Sequence, residues 1–482
     1  MNCFFSTIAE KLNAGQPQAQ QPLTSPCPKP LPSISDINLS SLDTDRKITL
    51  LKNNKATGPD GISPKLLKLA GNAVVGPLTS LLMQSICECS VYNNWKVVRL
   101  TSVFKKDDPT VMNNYRPLSL LSVPSKILES CVADIIAKQV FLENEALVTD
   151  NQCAYRKGRS TELLLIHLTE TWRRAIDNKL VVGAVFIHFE KAFDCVSHSI
   201  LLHKLEHNFG ITGNLLAWLR DYLSDRKQYT VINGVPSENT KVAHRTSEGS
   251  VLGPILFALY TSALPKAVNS ATTFLYADDT TMYCVGESVD QVIAMLNKAQ
   301  EELALWCKHN SLVPHPKLWE GMILKRNHFT GPVGSLKINQ HLIKWCSCSK
   351  LLGVTIDNKL MWTKHISELK RGFVNKLYLI KRSRFLPTNS LLALYFKVIL
   401  PSVTYALPIW GCCTNKNEFN SLESIHCRAA RVIYSLPRDM PSENARKIAN
   451  FDSFFDTFFD TYKVKIATLI YNIWQRQGLC QN

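Results

Sequence analysis

The stretch that most constrains this chain is Phe274-Leu275-Tyr276-Ala277-Asp278-Asp279-Thr280-Thr281-Met282-Tyr283, where two adjacent carboxylates divide two apolar, β-prone runs. Asp-Asp suits a tight turn, so residues 272–276 and 281–285 read as the strands of one hairpin. A turn that presents two acids at a sheet edge can hold hard divalent cations through oxygen ligands. An isolated Asp-Asp is more often a solvated turn, so the rest of the chain has to decide between the two.

Charge narrows the choice of partner. The chain carries 55 Lys and Arg against 39 Asp and Glu, a net +16 over 482 residues. That surplus predicts a polyanionic partner, nucleic acid before an anionic membrane. No run is long and apolar enough to span a bilayer, and no signal-peptide pattern opens the chain. An intracellular protein, cytoplasmic or nuclear rather than secreted, is expected. The fifteen cysteines show no CxxC or Cys/His zinc spacing, which suits buried thiols in a reducing compartment.

Along the chain, residues 1–33 read as a short helical segment and a Gln/Pro/Ser-rich linker. A helix is expected over 64–89. Residues 95–104 run as a strand into Lys105-Lys106-Asp107-Asp108, and 114–121 return as a second strand in which Pro117 favours an edge. Such a basic hairpin can meet a triphosphate, Lys as a point charge and Arg116 as a fork. Arg156, Lys157 and Arg159 form a basic turn before a helix over 162–176, suited to a phosphate backbone. Residues 181–187 are nearly all apolar, a buried strand, and exit into His188-Phe189-Glu190. Helical pattern covers 199–223, a hairpin is centred on Gly234, and Glu248-Gly249-Ser250 leads into an apolar helix over 255–264. Val289, Val292, Leu296, Leu303 and Trp306 recur at helical spacing as a core stripe. From Trp362 onward the pattern is helical and basic.

Taken in order, several blocks resemble the reverse transcriptase of non-LTR retrotransposons, closest to the jockey-like branch. They are Lys55-Ala56-Thr57-Gly58-Pro59-Asp60-Gly61-Ile62, Asn114-Tyr115-Arg116-Pro117, Arg156-Lys157-Gly158-Arg159-Ser160-Thr161, Lys191-Ala192-Phe193-Asp194, Gly249-Ser250-Val251-Leu252-Gly253-Pro254, Tyr276-Ala277-Asp278-Asp279 and Leu352-Gly353-Val354. The resemblance implies an α+β right-hand polymerase: fingers over 34–180, a palm with an antiparallel sheet over 181–357, and a helical thumb and C-terminal region over 358–482. Members usually carry an endonuclease upstream, so the chain looks like a fragment. The chemistry implied is two-metal nucleotidyl transfer with two Mg²⁺ ions, an RNA template, a DNA primer and dNTP. By resemblance, Asp278, Asp279 and the backbone carbonyl of Phe189 hold metal. Lys105 or Lys106 with Arg116 holds the triphosphate, and Phe193 sits beneath the sugar as a steric gate. Gly249 lets the backbone approach the nucleotide, Lys317 lies near a general-acid lysine, and Arg156, Lys157 and Arg159 contact nucleic acid.

The chain departs from that pattern at the centre of the chemistry. His188 occupies the position of the third metal-binding aspartate, and imidazole is a poor ligand for Mg²⁺. Losing several kcal/mol of transition-state stabilisation there slows transfer roughly 10²–10⁵-fold. Glu248 stands where an amide would face the triphosphate, and Pro314 and Leu318 interrupt the Asn-x-x-Lys-Thr pattern around Lys317. Two readings stay open: a reverse transcriptase with an incomplete metal site, or a nucleic-acid-binding protein of the same fold without chemistry.

Overall fold

The computed structural model describes residues 1–13, 33–105, 108–144, 147–232, 234–242, 249–326, 334–338, 341–411 and 414–479. At its centre is a five-stranded sheet in the order Lys344–Trp345, Glu320–Leu324, Val181–His188, Asp279–Gly286, Thr272–Tyr276. Neighbours run antiparallel except the first pair. Val181–His188 takes the middle because both of its faces are apolar. Val181, Val185 and Ile187 enter one core, while Val182, Ala184 and Phe186 enter a second, following the two-residue alternation of a strand. Helix Val289–His309 covers the first face with the sequence-predicted stripe. Helix Thr161–Asp177 covers the other, where the Trp172 ring lies 6.4 Å from Phe186 and 5.9 Å from Tyr283.

Gly183 sets how closely the first helix approaches. A Cβ there would lie 2.3 Å from Val292 Cγ1 and 2.8 Å from Leu296 Cδ1. Gly183→Val should therefore cost about 2–3 kcal/mol through overpacking, read as a lower urea midpoint at unchanged slope. A wild-type midpoint would show that the helix shifts freely.

A second sheet holds Tyr115–Leu120 at its edge beside Val97–Phe104, with Lys227–Ile232 beyond. Pro117 lies on that edge strand, where a missing N–H breaks no ladder. Val97–Phe104 pairs parallel with Lys227–Ile232, a long-range contact that hairpin signals do not reveal. The expected single helices over 64–89 and 199–223 are each two. Gly71 (φ 51) divides Pro64–Ala70 from Asn72–Cys87, and left-handed Gly210 (φ 65) ends His198–Phe209 before Gly213–Leu223. The C-terminal part is a helical assembly built on Thr363–Arg382, Lys416–Ile433 and Phe454–Leu479, with a buried Tyr395 hydroxyl–His426 Nδ1 hydrogen bond of 2.5 Å. The expected linker falls largely within 14–32, outside the described residues. Among the described residues no single helix is long and apolar enough to cross a membrane.

Behind the central sheet Lys204 joins three helices. Its Nζ donates to the Tyr260 carbonyl (2.6 Å), near the end of Leu252–Thr261, and to Asn310 Oδ1 at the cap of Val289–His309. A cation suits helix C-termini, but burial pushes the Lys204 pKa down to about 7. An unfolded lysine stays protonated to about pH 10. Above pH 7 the unfolded chain thus binds more protons, and stability rises with pH. The buried thiols of Cys195 and Cys284, pushed up to about 12, act with the opposite sign only above about pH 8.5. Between about pH 7 and 8.5 the unfolding free energy should rise by roughly 1–2 kcal/mol. Lys204→Met should flatten that slope in urea titrations; an unchanged slope would exclude Lys204 as its source.

Candidate active site at the end of the central sheet

The two acids reach the site by way of a two-residue turn. Tyr276 pairs with Asp279, so the central turn residues are Ala277 and Asp278, and Asp279 opens the return strand. The turn thus sits one residue earlier than an Asp-Asp centre. Ala277 adopts φ +57, unusual for a residue with a side chain. Such backbone strain gathers where geometry serves a site. The return strand then pairs with Val181–His188, and His188 stands directly opposite Asp279.

His188 Nδ1 lies 3.2 Å from Asp279 Oδ1. The hydrogen bond to Asp279 raises the His188 pKa, opposed by burial and helped by the charges of Asp279, Asp278 and Glu320. An imidazolium is thereby favoured against the carboxylate. Asp278 is exposed, yet the surrounding protein raises its pKa and neighbouring Asp279 adds to the rise. Its own backbone hydrogen bond, His188 and Arg116 work the other way. Arg116, on the edge strand of the second sheet, therefore lies within electrostatic reach of the acidic turn.

Residues 313–319 close the other flank. His315 N–H and Trp319 Nε1–H both donate to the His188 carbonyl, at 3.0 and 2.9 Å, and Glu190 N–H donates to Val313 carbonyl at 2.9 Å. These bonds bracket Phe189 and leave its carbonyl outside the ladder. They also hold the Pro316–Leu318 turn, and exposed Lys317 with it, beside the strand end. Phe193 stacks on buried Phe257 at 4.4 Å, joining it to the helix that follows Gly249. Gly249 has φ +108, and a Cβ on it would lie 2.6 Å from the Ser119 carbonyl. Its first requirement is thus close contact with the strand that carries Arg116.

The basic turn is attached to the outer edge of the acidic hairpin, since Cys153 N–H donates to Leu275 carbonyl and Leu275 N–H to Asn151 carbonyl, both at 2.9 Å. Within it Arg156 is buried, its Nη1 donating to the carbonyls of Thr149 (3.0 Å) and Gln152 (3.3 Å). Arg159 pairs with Asp150, and Lys157 is exposed. Lys105 is exposed at the end of the Val97–Phe104 strand, its N–H bonded to Asn114 carbonyl. Lys106 and Glu248 lie outside the described residues. Two groups escape the sequence reading. Glu320, whose charge acts on His188, arrives from the neighbouring strand opposite Phe186. Glu129, buried and distant in sequence, reaches the turn after Gly249.

As a metal site the donors are uneven. Asp278, Asp279 and the Phe189 carbonyl offer hard oxygens, but His188 brings nitrogen and is bonded to one of those carboxylates. Among the described residues no group of three or more His, Cys, Asp or Glu side chains is arranged to hold a metal ion. The set suits a hard cation in part and does not fit a pair of them.

A carboxylate hairpin beside a central strand, covered on both faces by helices, fits the polymerase class of fold. The family described as reverse transcriptase (RNA-dependent DNA polymerase) matches residues 103–356, just over half of the chain, and the chain belongs to that family. It is similar to the probable RNA-directed DNA polymerase from transposon BS of Drosophila melanogaster, 26% identical over 80% of this chain and 43% of that protein. It is also similar to the RNA-directed DNA polymerase from mobile element jockey of the same fly, 24% identical over 87% and 46%. A third relative is the Pol polyprotein from type-1 retrotransposable element R1 of Bradysia coprophila, 24% identical over 79% and 38%. The chain spans less than half the length of these relatives.

Proposed function

We propose that the chain is the RNA-directed DNA polymerase domain of a non-LTR retrotransposon, acting on an RNA template, a DNA primer and dNTP, with a metal site one ligand short. The observation that carries this is the strained hairpin that sets Asp278 and Asp279 against the end of Val181–His188, with Arg116 in range. In this reading residues 34–180 are fingers, 181–357 palm and 358–482 thumb with the C-terminal region.

Mg²⁺, when bound, supplies activation of the primer hydroxyl and neutralisation of charge on the phosphate. Asp278, Asp279 and the Phe189 carbonyl would hold it. Arg116 clamps the triphosphate as a bidentate fork, with Lys105 and Lys106 as point charges. Phe193, backed by Phe257, closes the floor under the sugar. Lys317 donates a proton to the departing pyrophosphate. Arg156 braces the basic turn from within, so contact with the template backbone falls to Lys157 and Arg159. Glu248 weakens nucleotide binding through like charge.

The contact between His188 and Asp279 favours a second reading, a nucleic-acid-binding protein without turnover, because it engages a ligand carboxylate with an imidazole 3.2 Å away. Primer extension on poly(rA)/oligo(dT) with Mg²⁺ separates the two. Slow, Mg²⁺-dependent addition of dTMP supports the polymerase; tight binding with no addition supports the binder; neither binding nor addition contradicts both.

A further inference from the structure

Helix Leu252–Thr261 begins immediately after the Gly249-Ser250 turn, and its first N–H groups are not left to solvent or ligand. Ser250 Oγ accepts from Gly253 N–H at 2.7 Å. The other acceptor comes from far away in the chain. Glu129, on helix Val123–Ala137 and wholly buried, accepts through Oε2 from Val251 N–H at 2.8 Å and Leu252 N–H at 3.5 Å. Its Oε1 accepts from Ser125 Oγ at 3.3 Å.

Burial pushes the Glu129 pKa up, and the neighbours offset only part of that cost. Buried Arg226 sets its charge against Glu129, donates Nη1 to the Tyr222 carbonyl at 3.0 Å and lies 4.8 Å over the Tyr222 ring. The Tyr222 hydroxyl lies near enough to the side chains of Ser250 and Glu129 for both to act on its ionisation. Glu129 thus ties three things at once: the helix behind the Arg116 strand, the start of the second sheet's Lys227–Ile232 strand through Arg226, and the turn whose Gly249 presses on Ser119. Both Glu129 oxygens are matched, while Arg226 Nε and Nη2 have no hydrogen-bond partner among the described residues; buried bonds of the first kind hold backbone in one geometry.

We propose that Glu129 is a positioning residue for the incoming nucleotide: by holding Val251 and Leu252 N–H it fixes the Gly249-Ser250 turn against the Arg116 strand. It touches neither substrate nor metal. The proposal rests on the polymerase reading for what the turn contacts, but not for the anchoring itself.

Two measurements on the full chain test it, with Glu129→Ala and the near-isosteric Glu129→Gln. The first is amide hydrogen exchange over residues 249–253. Loss of a helix cap should speed exchange there about tenfold in Glu129→Ala, while Glu129→Gln, which keeps an acceptor oxygen, stays within about threefold of wild type. The second is dTTP affinity of the complex with poly(rA)/oligo(dT), which should weaken about tenfold in Glu129→Ala with primer–template affinity unchanged, and be largely rescued in Glu129→Gln. Unchanged exchange in Glu129→Ala overturns the anchoring. Faster exchange with wild-type dTTP affinity overturns the positioning role. Should Glu129→Ala not fold, Glu129→Gln decides: protection and dTTP affinity near wild type support the proposal, and loss of primer–template affinity with dTTP affinity kept overturns it. A wild-type complex that binds no dTTP overturns the polymerase reading and the nucleotide role with it, and is recognised by that control alone.

Discussion

Raising the salt from about 50 mM to about 200 mM should weaken binding of an RNA–DNA primer–template by roughly 10³-fold, through release of counterions from the phosphates the protein neutralises. The net charge of +16 is the source, together with cations displayed at the surface. Lys364, Arg371, Lys381 and Arg382 are exposed along helix Thr363–Arg382, and Lys157 is exposed beside the acidic hairpin. None of these depends on His188, so binding should persist whatever the catalytic rate. Fluorescence anisotropy with a labelled duplex across a salt series measures the slope. Binding that ignores salt, or is absent at low salt, would contradict the assignment of a polyanionic partner.

His188→Asp should raise Mg²⁺-dependent primer extension by roughly 10²-fold or more, because it supplies an oxygen ligand and frees Asp279 from its contact with the imidazole. The strand register makes the change local: His188 already faces Asp279, so the new carboxylate arrives on the side of the site where an ion would lie. Adding Glu248→Gln should increase the gain non-additively, since under the proposed function both residues would flank one nucleotide. Asp278→Asn in the same background should remove whatever the reversion restores. If wild type extends primers as fast as His188→Asp, another acid completes the site. Glu320 is then the first to replace, because its charge is among those that act on His188.

Local pattern revealed the parts of the site, and long-range pairing assembled them. The apolar run at 181–187 marked a strand covered on both faces, and the Asp-Asp step marked its hairpin neighbour. The turn centre differed by one residue because tight loops tolerate Ala at positive φ when two strands enforce it. Gly71 and Gly210 split helices whose apolar spacing looked continuous, an effect of backbone freedom that periodicity overlooks. Arg156 looked like a surface cation by its neighbours, yet its side chain turns inward to cap carbonyls. The parallel pairing of Val97–Phe104 with Lys227–Ile232 and the reach of Glu129 to Val251 join residues more than a hundred apart. No short-range signal encodes either.

The proposed incomplete ion site is tested most directly by counting ions. Mn²⁺ titrated into the chain with poly(rA)/oligo(dT) and a non-hydrolysable dTTP analogue, followed by electron paramagnetic resonance, reports tightly bound ions without requiring turnover. One tight ion in the wild-type complex, brought largely by the triphosphate, and a second only in His188→Asp is the result expected. Two equally tight ions in the wild type would contradict it.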